Sequence, residues 1–301
     1  MRFLIGGVVV YIILQIFSLI LSGYTQVERK PIFRENRFLI FAHRGASGEY
    51  PESTLPAFEY ALREGANALE LDVHMTRDSV IVVFHDNELS RTTNGEGEIE
   101  DFTLTELKKL DAGYWFTRDG ETYPFRGKGL KILTLEEVFR QFPGVVINIE
   151  IKRSVRDIER RLADLIKKYR RENLTIVSSF SYSSIKKFRK AAPEVATGLS
   201  KREVTVFYVL SKLGLAGLYK PGGDALQVPP EYGKLRVVTR GFVKAAHSKG
   251  LVVHVWTIDR IEKMVHFIKL GVDGIFTNYP LRLRQVYERL KTSRGNGVKR
   301  S

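Results

Sequence analysis

The sequence predicts a (β/α)8 TIM barrel preceded by an apolar N-terminal helix, and three observations lead there. Short apolar runs of strand type alternate with longer amphipathic stretches, as parallel strands alternate with crossover helices. Histidines and carboxylates recur where those runs end, and barrel enzymes gather their chemistry at the carboxyl ends of their strands. At 301 residues the chain has room for one barrel of about 250 residues.

Residues 3–27 carry no charge, and a membrane-spanning helix needs about 20 such positions. A cleaved export signal normally has an apolar region of about 7–15 residues and a small-residue cleavage site, which Leu21-Ser22-Gly23 matches poorly. Residues 1–27 are therefore expected to be a retained single-pass transmembrane anchor. Arg29, Lys30, Arg34 and Arg37 in a basic linker at 28–37 outnumber Arg2, so the positive-inside rule puts the following domain in the cytoplasm.

The barrel domain is expected over residues 38–291. Candidate strands lie at 38–42, 68–73, 80–84, 145–151, 174–178, 225–228, 251–256 and 274–277, with 195–199 as a ninth nomination, one more than the barrel needs. The stretch between Val73 and Val80 is shorter than the roughly a dozen residues of a parallel crossover, a conflict inside this assignment. Thr103-x-x-Glu106 and Thr134-x-x-Glu137 read as helix-capping boxes, and a helical apolar stripe runs through 154–171. A last helix is expected over 281–291. Residues 86–130 are too long for an ordinary connection and read as a small insertion after the third strand, its aromatic residues either a substrate wall or the insertion's own core. Residues 204–219 are apolar apart from Lys212 and read either as a buried crossover helix or as an interfacial segment beside the active mouth.

Four of the strand ends carry ionisable groups: His43-Arg44, Glu70-Leu71-Asp72, His85-Asp86 and Glu150-Ile151-Lys152. Side chains alternate along a strand, so Glu70 and Asp72 share one face, as do Glu150 and Lys152. A lone Glu-x-Asp is more often a solvated rim, but burying four such clusters unpaired would cost several kcal/mol each. Glu70, Asp72 and Glu150 are hard oxygen ligands that suit one divalent cation, Ca2+ or Mg2+, and the absence of cysteine removes any thiolate competitor. His43 and His85 exchange protons near neutral pH, while Arg44 and Lys152 hold an anion such as a phosphate. Phe180 and Trp256, at the ends of later strands, are candidate pocket walls. His74 follows Asp72 in strand parity but lies past the predicted strand end and receives no role.

The run HRGASGEYPESTLPAFEYALREGANALELDVHMTRDSVIVVFHDNELSRTTNGEGEI, with NIEIK, VSSF, VHVWTI and GVDGIFTNYP further on, resembles the glycerophosphodiester phosphodiesterases over about residues 38–287. The resemblance implies a metal-dependent hydrolase that cleaves glycerophosphodiesters to an alcohol and glycerol 3-phosphate, with His43 and His85 as acid and base. It further implies that the glycerol hydroxyl beside the phosphate attacks to give a cyclic intermediate, a route that stays open beside direct attack by water. Glu52 is implied as a support through hydrogen bonds. One position departs from the family pattern, which usually has Pro-Glu-Asn-Thr where this chain has Pro51-Glu52-Ser53-Thr54.

The net charge of +14 and the basic residues of the C-terminal stretch, including the tail at 292–301, fit either an anionic lipid surface or plain solvation. The basic residues show no aromatic-basic repeat, so no nucleic-acid partner is expected. Two alternatives accompany the leading function. One is a lysophospholipase D that acts on lysophospholipids with the same groups; the other is a non-catalytic lipid-binding membrane scaffold.

Overall fold

The structure, a computed structural model, describes residues 2–34 and 37–298. Two helices come first, α1 (Arg2–Tyr24) and α2 (Pro31–Arg34), followed by β1 (Leu39–His43), α3 (Leu55–Arg63), β2 (Ala68–Met75) and β3 (Ile81–Val83). The insertion carries α4 (Leu104–Leu107), and α5 (Leu135–Gln141), β4 (Val146–Ile151), α6 (Ile158–Lys168), β5 (Thr175–Ser178), α7 (Tyr182–Ala191), β6 (Ala196–Thr197) and α8 (Lys201–Lys212) follow. The last part comprises β7 (Ala225–Val228), the hairpin β8 (Glu231–Tyr232) and β9 (Leu235–Arg236), α9 (Arg240–Ser248), β10 (Val252–Val255), α10 (Ile261–Leu270), β11 (Gly274–Thr277) and α11 (Pro280–Val298).

Eight parallel strands form the barrel in the order β6-β5-β4-β2-β1-β11-β10-β7. A parallel bridge between Gly198 and Ala225 brings its two ends together. Strand alternation sorts the side chains into two layers. Leu39, Phe41, Ala68, Ile176, Ala225, Val252 and Phe276 fill the barrel interior, whereas Ile40, Leu69, Leu71 and Ile149 face the helices. The stretch expected as a linker adds Phe33 of α2 to the interior cluster, closing the end of the barrel opposite the mouth.

The predicted third strand is not a barrel strand. Ile81–Val83 pairs antiparallel with β2, Val73 opposite Val83 and Met75 opposite Ile81. The joining turn is held by Thr76, whose backbone N–H reaches Val80 O and whose hydroxyl takes the Val80 N–H, with Ser79 at φ 65°. A tight hairpin needs no crossover, which resolves the short connection after Val73. The vacancy in the eightfold count is filled by the ninth nomination, β6. The insertion thus follows the hairpin and precedes the third barrel strand, with its own small core of Val82, Phe84, Leu89, Ile99, Leu107, Ala112 and Ile132.

The N-terminal reading is also corrected. Among the described residues no helix is long and apolar enough to cross a membrane. This overturns the single-pass anchor at 1–27, and the membrane and cytoplasmic placement that rested on it. From Tyr11 onward α1, with Thr25 just after it, lies against the domain through polar contacts: Tyr11 and Gln15 both donate to Leu213 O, and Thr25 donates to Gly217 O. Ser18 is buried at the crossing, where a Cβ on Gly217 would lie 1.8 Å from Ser18 O. Gly217→Val is therefore expected to detach α1, read as faster limited proteolysis between α1 and α2, with turnover changed less than about twofold.

Residues 204–219 form most of α8 and the turn after it. Phe207 is buried against Phe242 and Tyr219, as a crossover helix requires. Because α8 follows the carboxyl end of β6, its start lies at the mouth and its exposed Val209 and Leu213 lie toward the opposite end, beside α1. The segment therefore does not dip beside the mouth.

Candidate active site

His43 ends β1, pairing in register with Glu70 of β2, and the chain then turns sharply through Arg44 at φ 52° and Gly45 at φ 86°. Gly45 is required there, since a Cβ would meet Ala57 at 2.8 Å. The turn delivers the Arg44 N–H to Glu70 Oε2 at 2.9 Å and the Arg44 guanidinium to Glu52 Oε1 at 3.1 Å and to within 3.5 Å of Asp72. Asp72 and Glu150 are register partners on β2 and β4, and Lys152 reaches both, at 3.3 and 3.1 Å. The structure thus brings Arg44, Glu52, Glu70, Asp72, Glu150 and Lys152 into one connected cluster.

The two histidines are held differently. His43 Nδ1 lies 2.7 Å from Asn278 Oδ1, while Asn278 Nδ2 donates to Asp259 Oδ2 at 2.7 Å. The amide is oriented by Asp259, so its oxygen faces His43, Nδ1 carries the hydrogen, and Nε2 is left as the acceptor. Ser47 donates to the same amide oxygen at 2.7 Å. His85 Nδ1 donates instead to a carboxylate, Asp86, which Arg91 also grips. Arg91 continues with two bonds to Glu52, at 2.9 and 2.6 Å, so that His85, Asp86, Arg91, Glu52 and Arg44 form one chain of contacts.

Electrostatics separate the pair. Burial, and next the charge of Arg44, lower the His43 pKa to about 4, which keeps this ring neutral. Burial lowers His85 too, but the charge of Asp72 and the bond to Asp86 oppose it. Burial alone would raise Asp86, but bonds from Arg91 and His85 hold it down at about 2, so it stays an anion. Burial and then the charge of Asp72 push Glu70 well up, and burial raises Asp72 as well.

Among the described residues no group of three or more His, Asp or Glu side chains stands arranged to hold a metal ion. The donor set nonetheless suits a hard divalent cation. Asp72 Oδ2 is buried without a hydrogen-bond partner, and burial raises both carboxyls, Glu70 further through the charge of Asp72, a cost that such an ion relieves.

Phe180 and Trp256 meet edge to face, centroids 6.0 Å apart, and with Glu150, Ser178 and Gln227 line a cavity of about 40 Å3 beside the carboxylates. His74 is fully buried in β2, and its Nε2 donates to the backbone oxygen of His85 at 3.2 Å, supporting that residue from behind. Sequence reasoning missed Asn278, Asp259, Arg91 and this contact of His74. Asn278 carried a usable signal, since it directly follows the last strand, but it is uncharged.

Residues 43–282 match the glycerophosphoryl diester phosphodiesterase family. The chain belongs to that family. It is 39% identical over 252 residues to a glycerophosphodiester phosphodiesterase of Caldanaerobacter subterraneus, covering 80% of this chain and 94% of that one. It is 28% identical over 278 residues to a lysophospholipase D of Homo sapiens, covering 83% and 87%. A phosphodiesterase of Oleispira antarctica, solved in complex with the product sn-glycerol-3-phosphate, superposes with a TM-score of 0.66 at 27% identity, covering 83% of this chain and 96% of that one. The chain is thus an enzyme, a phosphoric diester hydrolase, which sets aside the non-catalytic scaffold. Members of the family generally depend on a divalent metal.

Ser53, where the family usually has asparagine, sits at φ 59°, and its hydroxyl is buried without a partner. Asparagine tolerates this left-handed conformation better than serine does. A cavity of about 10 Å3 adjoins it. Ser53→Asn is expected to stabilise the fold by about 0.5–1 kcal/mol, measured as an upward shift in Tm.

Proposed function

We propose that the chain hydrolyses glycerophosphodiesters to an alcohol and glycerol 3-phosphate, with His43 as general base and His85 as general acid. The observation that carries this is the difference between their partners. The neutral Asn278 amide fixes the tautomer of His43 without favouring its charged form, whereas the Asp86 carboxylate stabilises an imidazolium at His85. His43 Nε2 takes the proton of the nucleophile, either the neighbouring glycerol hydroxyl or water. His85 Nε2 gives its proton to the departing alkoxide as the P–O bond breaks.

Glu70, Asp72 and Glu150 would hold one Ca2+ or Mg2+ ion. When bound, the ion supplies Lewis-acid neutralisation of charge on the phosphodiester. Arg44 and Lys152 hold the non-bridging oxygens, and Glu52 keeps Arg44 aimed. Phe180 and Trp256 would wall the glycerol side of the site, of which the small cavity encloses only part.

A second reading, lysophospholipase D, is favoured by exposed apolar residues at the carboxyl ends of the strands: Phe180 just before α7 and Tyr182 at its start, Tyr232 and Leu235 on the β8–β9 hairpin, and Ile261 at the start of α10. An acyl chain leaving the glycerol side would lie along them. One experiment tests both readings: product analysis with glycerophosphocholine and lysophosphatidylcholine during a divalent-metal titration. Glycerol 3-phosphate and choline from the first substrate, lost with chelator and restored by metal, are expected. Release of phosphocholine would sink the proposal, and strong preference for the lysolipid would favour the second reading.

A further inference from the structure

The insertion and the loop after β1 together form a second pocket of about 190 Å3. Its walls include Ser47, Glu52, Arg91, Thr92, Trp115 and Phe116. The pocket shares Glu52, Thr92 and Ala112 with the cavity of about 10 Å3 that His85 lines, so it lies beside the proposed acid, and Ser47 and Arg91 belong to the supports that hold the two rings from their Nδ1 sides. Nothing in the hydrolytic chemistry itself uses Trp115, Phe116 or Thr92.

The chemistry of the walls selects what fits. Both oxygens of Glu52 are taken by guanidinium groups, and Asp86 is likewise paired, so no free carboxylate faces the pocket to attract a cation. Of the two rings that line the pocket, Trp115 already carries the Arg126 guanidinium at 4.8 Å, which also lies over Tyr114 and Tyr123 at 4.4 and 3.9 Å, and Phe116 by itself makes no cage. A quaternary ammonium would meet that positive charge rather than a bare π face. What remains is neutral and hydrogen-bonding. Trp115 is 43% exposed, and neither its indole N–H nor the Thr92 hydroxyl has a partner among the described residues. An apolar ring face beside uncommitted donors suits a polyhydroxylated alcohol, and the volume equals roughly six waters at about 30 Å3 each, enough for a ring-sized polyol.

We infer that this pocket is the leaving-alcohol subsite and selects diesters whose alcohol is a neutral polyol over those carrying a quaternary ammonium. The inference rests on the hydrolytic function proposed above and adds the substrate class to it.

The test compares kcat/KM of the full-length, metal-supplied enzyme on glycerophosphoinositol, glycerophosphocholine and glycerophosphoethanol, the last too small to use the pocket. The inositol ester is expected to exceed the choline ester about tenfold or more, a difference of ~1.4 kcal/mol. Trp115→Ala should lower kcat/KM for the inositol ester about tenfold and leave the ethanol ester within about twofold. Thr92→Val, which keeps the side-chain shape, should do the same to a smaller degree. Free myo-inositol should inhibit turnover of the ethanol ester competitively in the unsubstituted enzyme and lose potency in Trp115→Ala. Equal or better use of the choline ester, or an equal loss on all three esters in Trp115→Ala, would overturn the subsite. Absence of turnover on all three would instead remove the hydrolytic reading beneath it.

Discussion

His43→Ala is expected to lower kcat about 100- to 10,000-fold on every diester, whereas the loss in His85→Ala, similar in size on natural substrates, shrinks when the leaving group is p-nitrophenol. The asymmetry follows from what holds each ring. A general acid matters in proportion to how poorly the departing oxygen bears negative charge. A phenol with a low pKa departs without help, so the loss of His85 is partly rescued. The proton that His43 removes belongs to the nucleophile and is unaffected by the leaving group. Rescue of His43→Ala, or equal rescue of both variants, would reverse or remove the assignment.

Asp86→Asn refines the same prediction. It leaves a hydrogen-bond partner for His85 Nδ1 but removes the charge that favours its protonated form. Part of the His85→Ala loss is therefore expected, again relieved by a good leaving group. The corresponding change on the other side, Asn278→Asp, places a charge beside His43 and raises its proton affinity, so the acid limb of kcat/KM moves to higher pH.

The barrel and the charged strand ends were legible because both are local. Runs such as Val145-Val146-Ile147 announce buried strands, and a carboxylate that closes such a run marks the mouth whatever the rest of the chain does. Which of the nine candidate strands is surplus was hidden for a local reason as well. Ile81–Val83 is as apolar as a barrel strand although it belongs to a hairpin, whereas β6 pairs through only Ala196 and Thr197 and gives a faint signal. Connection length, too short for a crossover after Val73, held the information that apolarity lacked. The supports of the two histidines were not legible. Asn278 reaches His43 across 235 residues of sequence, and Arg91 reaches Glu52 across 39 from inside the insertion. Hydropathy likewise misread residues 1–27, because a run without charges does not reveal that Tyr11, Gln15, Ser18 and Thr25 make polar or close contacts with the domain.

Glu70→Gln is expected to separate activity from stability, with opposite signs. Glu70 is 4% exposed and accepts one hydrogen bond, from the Arg44 N–H, while Asp72 and Glu150 repel its charge. Its folded pKa lies above the unfolded value, so its stabilising contribution is full below that unfolded value and is lost as pH rises through the folded one. In chelator the unsubstituted protein should therefore melt lower at pH 8 than at pH 5 on account of this carboxyl. Glutamine keeps the shape and the acceptor but cannot ionise. In chelator at pH 8 the variant should gain about 1 kcal/mol, or ~2–4 °C in Tm. Catalysis should fall about 100-fold or more at saturating metal, because an ion's charge stabilisation is worth several kcal/mol and each ~1.4 kcal/mol is tenfold in rate. The unsubstituted protein should in turn gain Tm on adding Mg2+ or Ca2+, and Glu70→Gln should gain less. A variant that keeps full activity, or that melts no higher in chelator, would remove Glu70 from the ion-binding set.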